Sequence, residues 1–217
     1  MINHHPSDEL LLDYAAGTLP EALALAIATH ASLCADCARA IRAFEAIGGE
    51  MLAEENPVEC SDGALASVLA RLDEAEPALA GWARQDRPVS DILPSPLIRY
   101  VGRNLDHLPW RRVGRLFEEF RLPLTAKDFK AALFRLAPGS LLPMHSHRGQ
   151  EYTLVLAGGY RDGDAQFARG DFAAMDVNDQ HQPMVDRGEP CLCLVVRDAP
   201  VKLSGPMGMF VNPFLRI

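Results

Sequence analysis

The segment His30-Ala-Ser-Leu-Cys34-Ala-Asp-Cys37 spaces one imidazole and two thiols as H-x3-C-x2-C between two Ala/Leu-rich stretches. Read as helical, it puts residues three and four apart on one face, so three metal-capable donors converge within reach of one ion. Structural zinc takes four such donors in a closed tetrahedron, and a fourth ligand is therefore expected. The only histidines upstream are His4 and His5, just before Pro6-Ser7-Asp8-Glu9, where Ser7 reads as a helix N-cap. A C-x2-C pair can also be a redox dithiol, but the preceding histidine and the missing βαβ context favour metal.

A second constellation is Gly139-x5-His145-x-His147-x3-Glu151-x6-Gly158. In a strand His145 and His147 point to the same face. Glu151, on the same or the adjacent hairpin arm, can complete the inner shell, and His181 is the one later histidine available as a fourth ligand. Three imidazole nitrogens and one carboxylate suit zinc, iron, manganese, nickel or copper. Cys191 and Cys193 alternate with Leu192 and Leu194, so both thiols share a strand face. They read as core filler, with thiols near the metal as the second reading.

These groups need elements to hold them. Leu10, Leu11 and Tyr14 repeat at helical spacing from Ser7 until Gly17; Glu21 to Thr29 is Ala/Leu/Ile-rich; Cys37, Ile41, Phe44, Ile47 and Met51 continue the period up to Pro57. A fourth helix is expected after Ser61, read as its cap, with an apolar stripe of Leu65, Val68, Leu69 and Leu72. That stripe reads first as core, and any exposed part of it as a partner surface. Pro77, Pro88, Pro94 and Pro96 then mark an extended linker. Beyond it, Val101 to Phe120 shows no clean period. Apolar runs at 131–136, 152–156 and 192–196, with turns at Gly158-Gly159 and Asp162-Gly163-Asp164, predict strands of a sandwich or barrel.

The chain has 217 residues, 48% of them hydrophobic, enough for two modest cores. A net charge of -8 argues against direct nucleic-acid binding and for a basic protein partner. No apolar run approaches the ~20 residues that span a bilayer, so no membrane association is expected. Five cysteines argue against a disulfide framework and for reducing, cytoplasmic surroundings.

The Gly139–Gly158 segment resembles the first motif of the cupin superfamily. The second cupin motif is only partly kept: Asp176-Val-Asn178-Asp-Gln-His181 retains the histidine but lacks the Pro and Gly, and Val185 stands where Asn is usual. The N-terminal pattern is similar to the zinc-binding anti-sigma domain. A chain pairing the two resembles the ChrR family of anti-sigma factors, and the likeness extends to His4-His5, Tyr100-Val101-Gly102 and Pro213-Phe214-Leu215-Arg216-Ile217.

The resemblance implies a multi-domain fold: an all-α four-helix zinc domain over 1–75, a linker over 76–98 and an all-β cupin barrel (jelly roll) over 99–217. It implies Zn2+ on His5, His30, Cys34 and Cys37, with His4 as competitor for His5. It also implies Zn2+ or another divalent transition metal on His145, His147, Glu151 and His181. The implied partner is an extracytoplasmic-function (group IV) sigma factor, and the implied signal is singlet oxygen or a related oxidant, or a small molecule, at the cupin. The implied protein is a regulator and not an enzyme. The alternative is a metal-dependent cupin enzyme, dioxygenase-like, with a helical oligomerisation module.

Overall fold

Ser7 starts the first helix as its position predicts: its hydroxyl accepts the Leu10 amide at 3.4 Å, and Asp8 and Glu9 occupy the positive end of the helix dipole. This helix, α1, runs Asp8–Ala15 and ends before Gly17, whose φ of 71° suits glycine. Helices α2 (Glu21–Ala31) and α3 (Ala35–Ala53) follow. The computed structural model describes residues 1–72, 93–114, 117–126 and 128–203.

The His30–Cys37 stretch is not one helix, contrary to the helical reading of its spacing. The His30 carbonyl accepts the Leu33 and Cys34 amides at 2.9 and 2.8 Å, which closes the end of α2. Cys34 is the N-cap residue of α3, with extended φ and ψ of -112° and 106°. The chain therefore turns between the imidazole and the thiols, and faces one helix end toward the start of the next.

Helix α2 is buried nearly all round, from Ala22 through Leu23, Leu25, Ala26 and Ile27 to Thr29 and His30. Its partly exposed face is Glu21, Ala24, Ala28 and Ala31, mostly alanine, which is why the sequence lacks a polar stripe. Gly48-Gly49 do not interrupt α3. Its second half and helix α4 (Ala64–Arg71) contribute no buried residue. Thus the expectation that the α4 stripe is core is corrected, as is the assignment of Ser61 as cap. Gly63 is the N-cap residue, and Ser61 offers only its backbone carbonyl, to the Ala64 amide.

Pro77 and Pro88 of the expected linker lie outside the described residues, as does Pro213–Ile217. Within the linker's last residues a helix begins: α5 (Ser95–Val101) follows Pro94, has Pro96 in its first turn, and buries Leu97 and Val101. It packs on α2. A 3-10 turn at Leu105–His107 then leads into the barrel, its Leu105 carbonyl held by the Trp110 indole N–H at 2.7 Å.

The barrel strands are β1 (Arg111–Val113), β2 (Phe117–Arg121), β3 (Lys130–Leu136), β4 (His145–His147), β5 (Glu151–Ala157), β6 (Gly159–Asp162), β7 (Ala165–Ala168), β8 (Phe172–Met175), β9 (Gln180–His181), β10 (Met184–Val185), β11 (Cys191–Arg197) and β12 (Val201–Leu203). The three apolar runs of the sequence are β3, β5 and β11, adjacent at the centre of a six-stranded antiparallel sheet ordered β1-β2-β3-β11-β5-β8. Two three-stranded sheets, β10-β6-β7 and β12-β4-β9, complete the barrel.

The six-stranded sheet is covered on both faces. Alternate residues Ala132, Phe134, Val155, Cys191, Cys193 and Val195 pack inside the barrel. Their neighbours Leu133, Leu154, Leu156, Leu192, Leu194 and Val196 join one core with Leu23, Ile27, Leu97 and the rest of the helical layer. Every residue of β11 is buried as a result. The unbroken apolar sequence of that strand reports two-sided burial, as in strands sandwiched between layers.

Candidate metal centres

The first candidate centre lies where α2 ends, α3 begins and the N-terminal segment crosses the barrel. His30 Nε2 is 3.2 Å from Cys37 Sγ, and His5 Nδ1 is 3.5 and 3.4 Å from Cys34 and Cys37 Sγ. All four donor atoms lie within 4.8 Å of one another. With zinc bonds of about 2.3 Å to sulfur and 2.0 Å to nitrogen, a tetrahedron has N···S edges of about 3.5 Å. The donor set fits zinc in both chemistry and size.

His4 and His5 part company here because an extended chain sends neighbouring side chains to opposite sides. The His4 ring stacks on Phe167, centroids 4.3 Å apart, and its Nε2 meets the Gln166 carbonyl at 3.1 Å. That leaves His5 beside the thiols.

The ring of His30 has a fixed tautomer. Its Nδ1–H donates to the Gly170 carbonyl at 2.8 Å, so Nε2 presents a bare lone pair toward Cys37. Burial pushes this imidazole down to about 4 and the Cys37 thiol up to about 12. A cation that replaces the thiol protons relieves the second cost.

The second centre is built by register. Strand β4 pairs with β9 so that His145 stands opposite His181, and Glu151 opens β5 opposite Arg197 of β11. His145 Nε2 is 2.8 Å from His181 Nε2, and His147 Nε2 is 3.1 Å from the same atom. The His145 Nδ1–H donates to the Pro143 carbonyl at 2.9 Å, and the His181 Nδ1–H to Asp162 Oδ2 at 2.6 Å. Both Nε2 atoms are therefore bare lone pairs facing each other, an arrangement that a cation between them would stabilise. His145, His147, Glu151 and His181 form the second group of donors within 4.8 Å.

Burial lowers His145 to about 4 and also lowers His147, so both rings are neutral at pH 7 and free to offer a lone pair. Proton uptake on unfolding should make the metal-free chain acid-sensitive. His30 and His145 bind protons at about 4 in the folded state against 6.5 ordinarily, so the unfolded chain takes up more protons between those values. Stability of the metal-free chain is expected to fall as the pH drops through that window, and denaturant titrations at pH 7 and pH 5 will show it. A higher midpoint at pH 5 would contradict this.

Three residues of this surrounding were not legible as site residues. Asp162 read only as part of a turn, yet it orients His181. Arg197 lies 3.6 Å from Glu151 Oε2, and burial lowers its pKa while Glu151 raises it. Asp171 holds the N-terminal segment at the first centre. The one available signal was Arg197 itself, a lone cation ending an apolar strand. Cys193 lines a cavity of about 340 Å³ together with His145, Glu151 and His181, and its Sγ is 3.5 Å from that of Cys191. Contact with Cys191, then burial, raises the pKa of Cys193, so its thiol stays protonated.

Geometry and topology together define a class: a helical module with a two-histidine, two-cysteine centre, docked on a cupin-like barrel with a three-histidine, one-glutamate centre. Residues 102–200 match the model of the ChrR cupin-like domain. The whole chain is 42% identical over 216 residues to anti-sigma-E factor ChrR of Cereibacter sphaeroides, covering 99% of that protein. It also matches the crystal structure of Rhodobacter sphaeroides SigE in complex with the anti-sigma ChrR, with a TM-score of 0.80 and 40% identity, over 91% of this chain and 100% of that one. The chain belongs to the ChrR family of anti-sigma factors.

Proposed function

We propose that this protein binds an extracytoplasmic-function sigma factor through its helical module and holds it inactive until an oxidant, singlet oxygen or a related species, acts at the cupin. Likeness over the full length to anti-sigma-E factor ChrR carries the reading. Support comes from the exposed apolar side chains of the helical part: Ile47, Met51 and Leu52 on α3, and Leu65, Val68, Leu69 and Leu72 at the i, i+3, i+4, i+7 positions of α4. Exposed stripes of this size mark partner surfaces. Among the described residues no helix is long and apolar enough to cross a membrane.

Zinc on His5, His30, Cys34 and Cys37 would be structural, since four protein ligands leave no open position. A divalent transition metal on His145, His147, Glu151 and His181 would sit at the cavity that admits the signal. Membership of an anti-sigma family argues against the enzymatic alternative.

Co-expression with the sigma factors of the same genome, followed by pull-down and metal analysis, tests the reading. One sigma factor should be retained at one-to-one stoichiometry, and capture of none would refute it. In the complex, His145→Ala with His147→Ala should leave sigma binding intact and suppress its release by singlet oxygen. Unchanged release would place the sensing step elsewhere.

A further inference from the structure

The N-terminal centre is not built by the helical module alone. The β7–β8 turn, Arg169-Gly170-Asp171, belongs to the cupin and lies against it from the far side. Gly170 gives its carbonyl to the His30 Nδ1–H. Asp171, 1% exposed, accepts the Asn3 and His4 amides on Oδ1 at 2.6 and 2.9 Å, and the Ala168 amide on Oδ2 at 2.8 Å. The Phe172 amide then donates to the His4 carbonyl at 3.0 Å. Gly170 has a φ of 94°, and a methyl group at its Cα would strike the Ile2 side chain.

These contacts bear on two of the four donors. The Gly170 carbonyl fixes which nitrogen of His30 carries the proton, and the ring's aim with it. Asp171 and Phe172 clamp the peptide units on either side of His4, which delivers His5 to the thiols. Partners of this kind around a metal ligand are commonly worth 10- to 100-fold in metal affinity.

We propose that the cupin's β7–β8 turn, through Gly170 and Asp171, positions His30 and His5 and so completes the N-terminal metal centre. The two domains are then coupled at that centre: whatever moves the turn loosens the metal, and by reciprocity metal loss loosens the turn. The inference rests on the reading of His5, His30, Cys34 and Cys37 as metal ligands, and it supplies a route from the barrel to the sigma-binding module.

Cobalt(II) makes the test specific, because only a centre with cysteine ligands gives a thiolate-to-cobalt charge-transfer band. The cobalt-loaded full-length chain is challenged with a chelator, and decay of the band is timed. Asp171→Ala should accelerate release at least about tenfold, with cobalt at the cupin centre and barrel circular dichroism retained. Asp171→Asn, which keeps one acceptor oxygen for Asn3 and His4, should fall between Asp171→Ala and the parent.

Hydrogen exchange on the parent chain serves should Asp171→Ala fail to fold: loading the metal should protect the Asn3 and His4 amides. A parent chain with no band would overturn the metal reading and this inference with it. A band whose decay is unchanged in Asp171→Ala, or amides indifferent to metal, would overturn this inference alone.

Discussion

Leu65→Asp combined with Leu69→Asp is expected to abolish capture of the sigma factor while leaving the protein as stable as before. The two side chains are 71% and 53% exposed and share a face of α4, a helix without a buried residue. Substitutions at such positions typically change stability by less than about 0.5 kcal/mol, because no core contact is lost. At an interface the same leucines would be desolvated, and a carboxylate in their place would be buried without a partner. Two hot-spot losses of about 2 kcal/mol each correspond to roughly a thousandfold weakening. Titration calorimetry with the captured sigma factor and a thermal melt of the free protein measure the two halves. A tenfold or smaller loss of affinity would remove α4 from the contact surface.

The second large effect concerns the metal. Cys34→Ser with Cys37→Ser should remove one metal equivalent per chain, leave the cupin centre loaded, and reduce sigma binding below detection. Cys34 is the N-cap residue of α3 and Cys37 lies in its first turn, while His5 ties the segment before α1 to both. Without the ion, the start of α3 loses its link through His30 to α2 and through His5 to the segment that leads into α1. Buried residues are few in the two helices concerned: Leu11 in α1, and Cys37 and Ile41 in α3. Structural zinc contributes about 10–16 kcal/mol in small zinc-dependent peptides, so its loss cannot be offset by so few contacts. Helix α2 should persist, because the six-stranded sheet covers it. Metal analysis by mass spectrometry, together with far-ultraviolet circular dichroism, will separate partial from global unfolding. Full sigma binding by the metal-depleted double variant would reject the structural role.

Much of this was legible in the chain because ligand spacing is local. The pattern around His30 puts an imidazole and two thiols within a few residues, close enough for one turn of chain to gather them, and the alternation of His145 with His147 puts both on one strand face. His181 was accessible as the one later histidine near enough in sequence. The choice between His4 and His5 was not, since it depends on Asp171 and Phe167, more than 160 residues away in sequence. Likewise α4 looked like a core helix, because an amphipathic stripe reads the same whether it faces its own chain or another. The α2 sequence lacks a one-sided stripe for the opposite reason: its partly exposed face is Glu21 followed by three alanines, so it carries almost no polar phase. The three central strands were found from their apolar runs, but only their register shows that β11 serves two cores at once.

The hydrogen bond from His30 to Gly170 joins residues 140 positions apart. A ribosome adds about 5–20 residues per second, so the carbonyl emerges roughly 7–28 s after the imidazole it orients. During that interval the growing chain has its cysteines but neither the clamp on His4 nor the fixed tautomer of His30. On the proposed coupling, the order of synthesis places a delay in the maturation of the N-terminal centre: a half-made chain, or one cut before the β7–β8 turn, would hold a metal there less tightly than the finished protein.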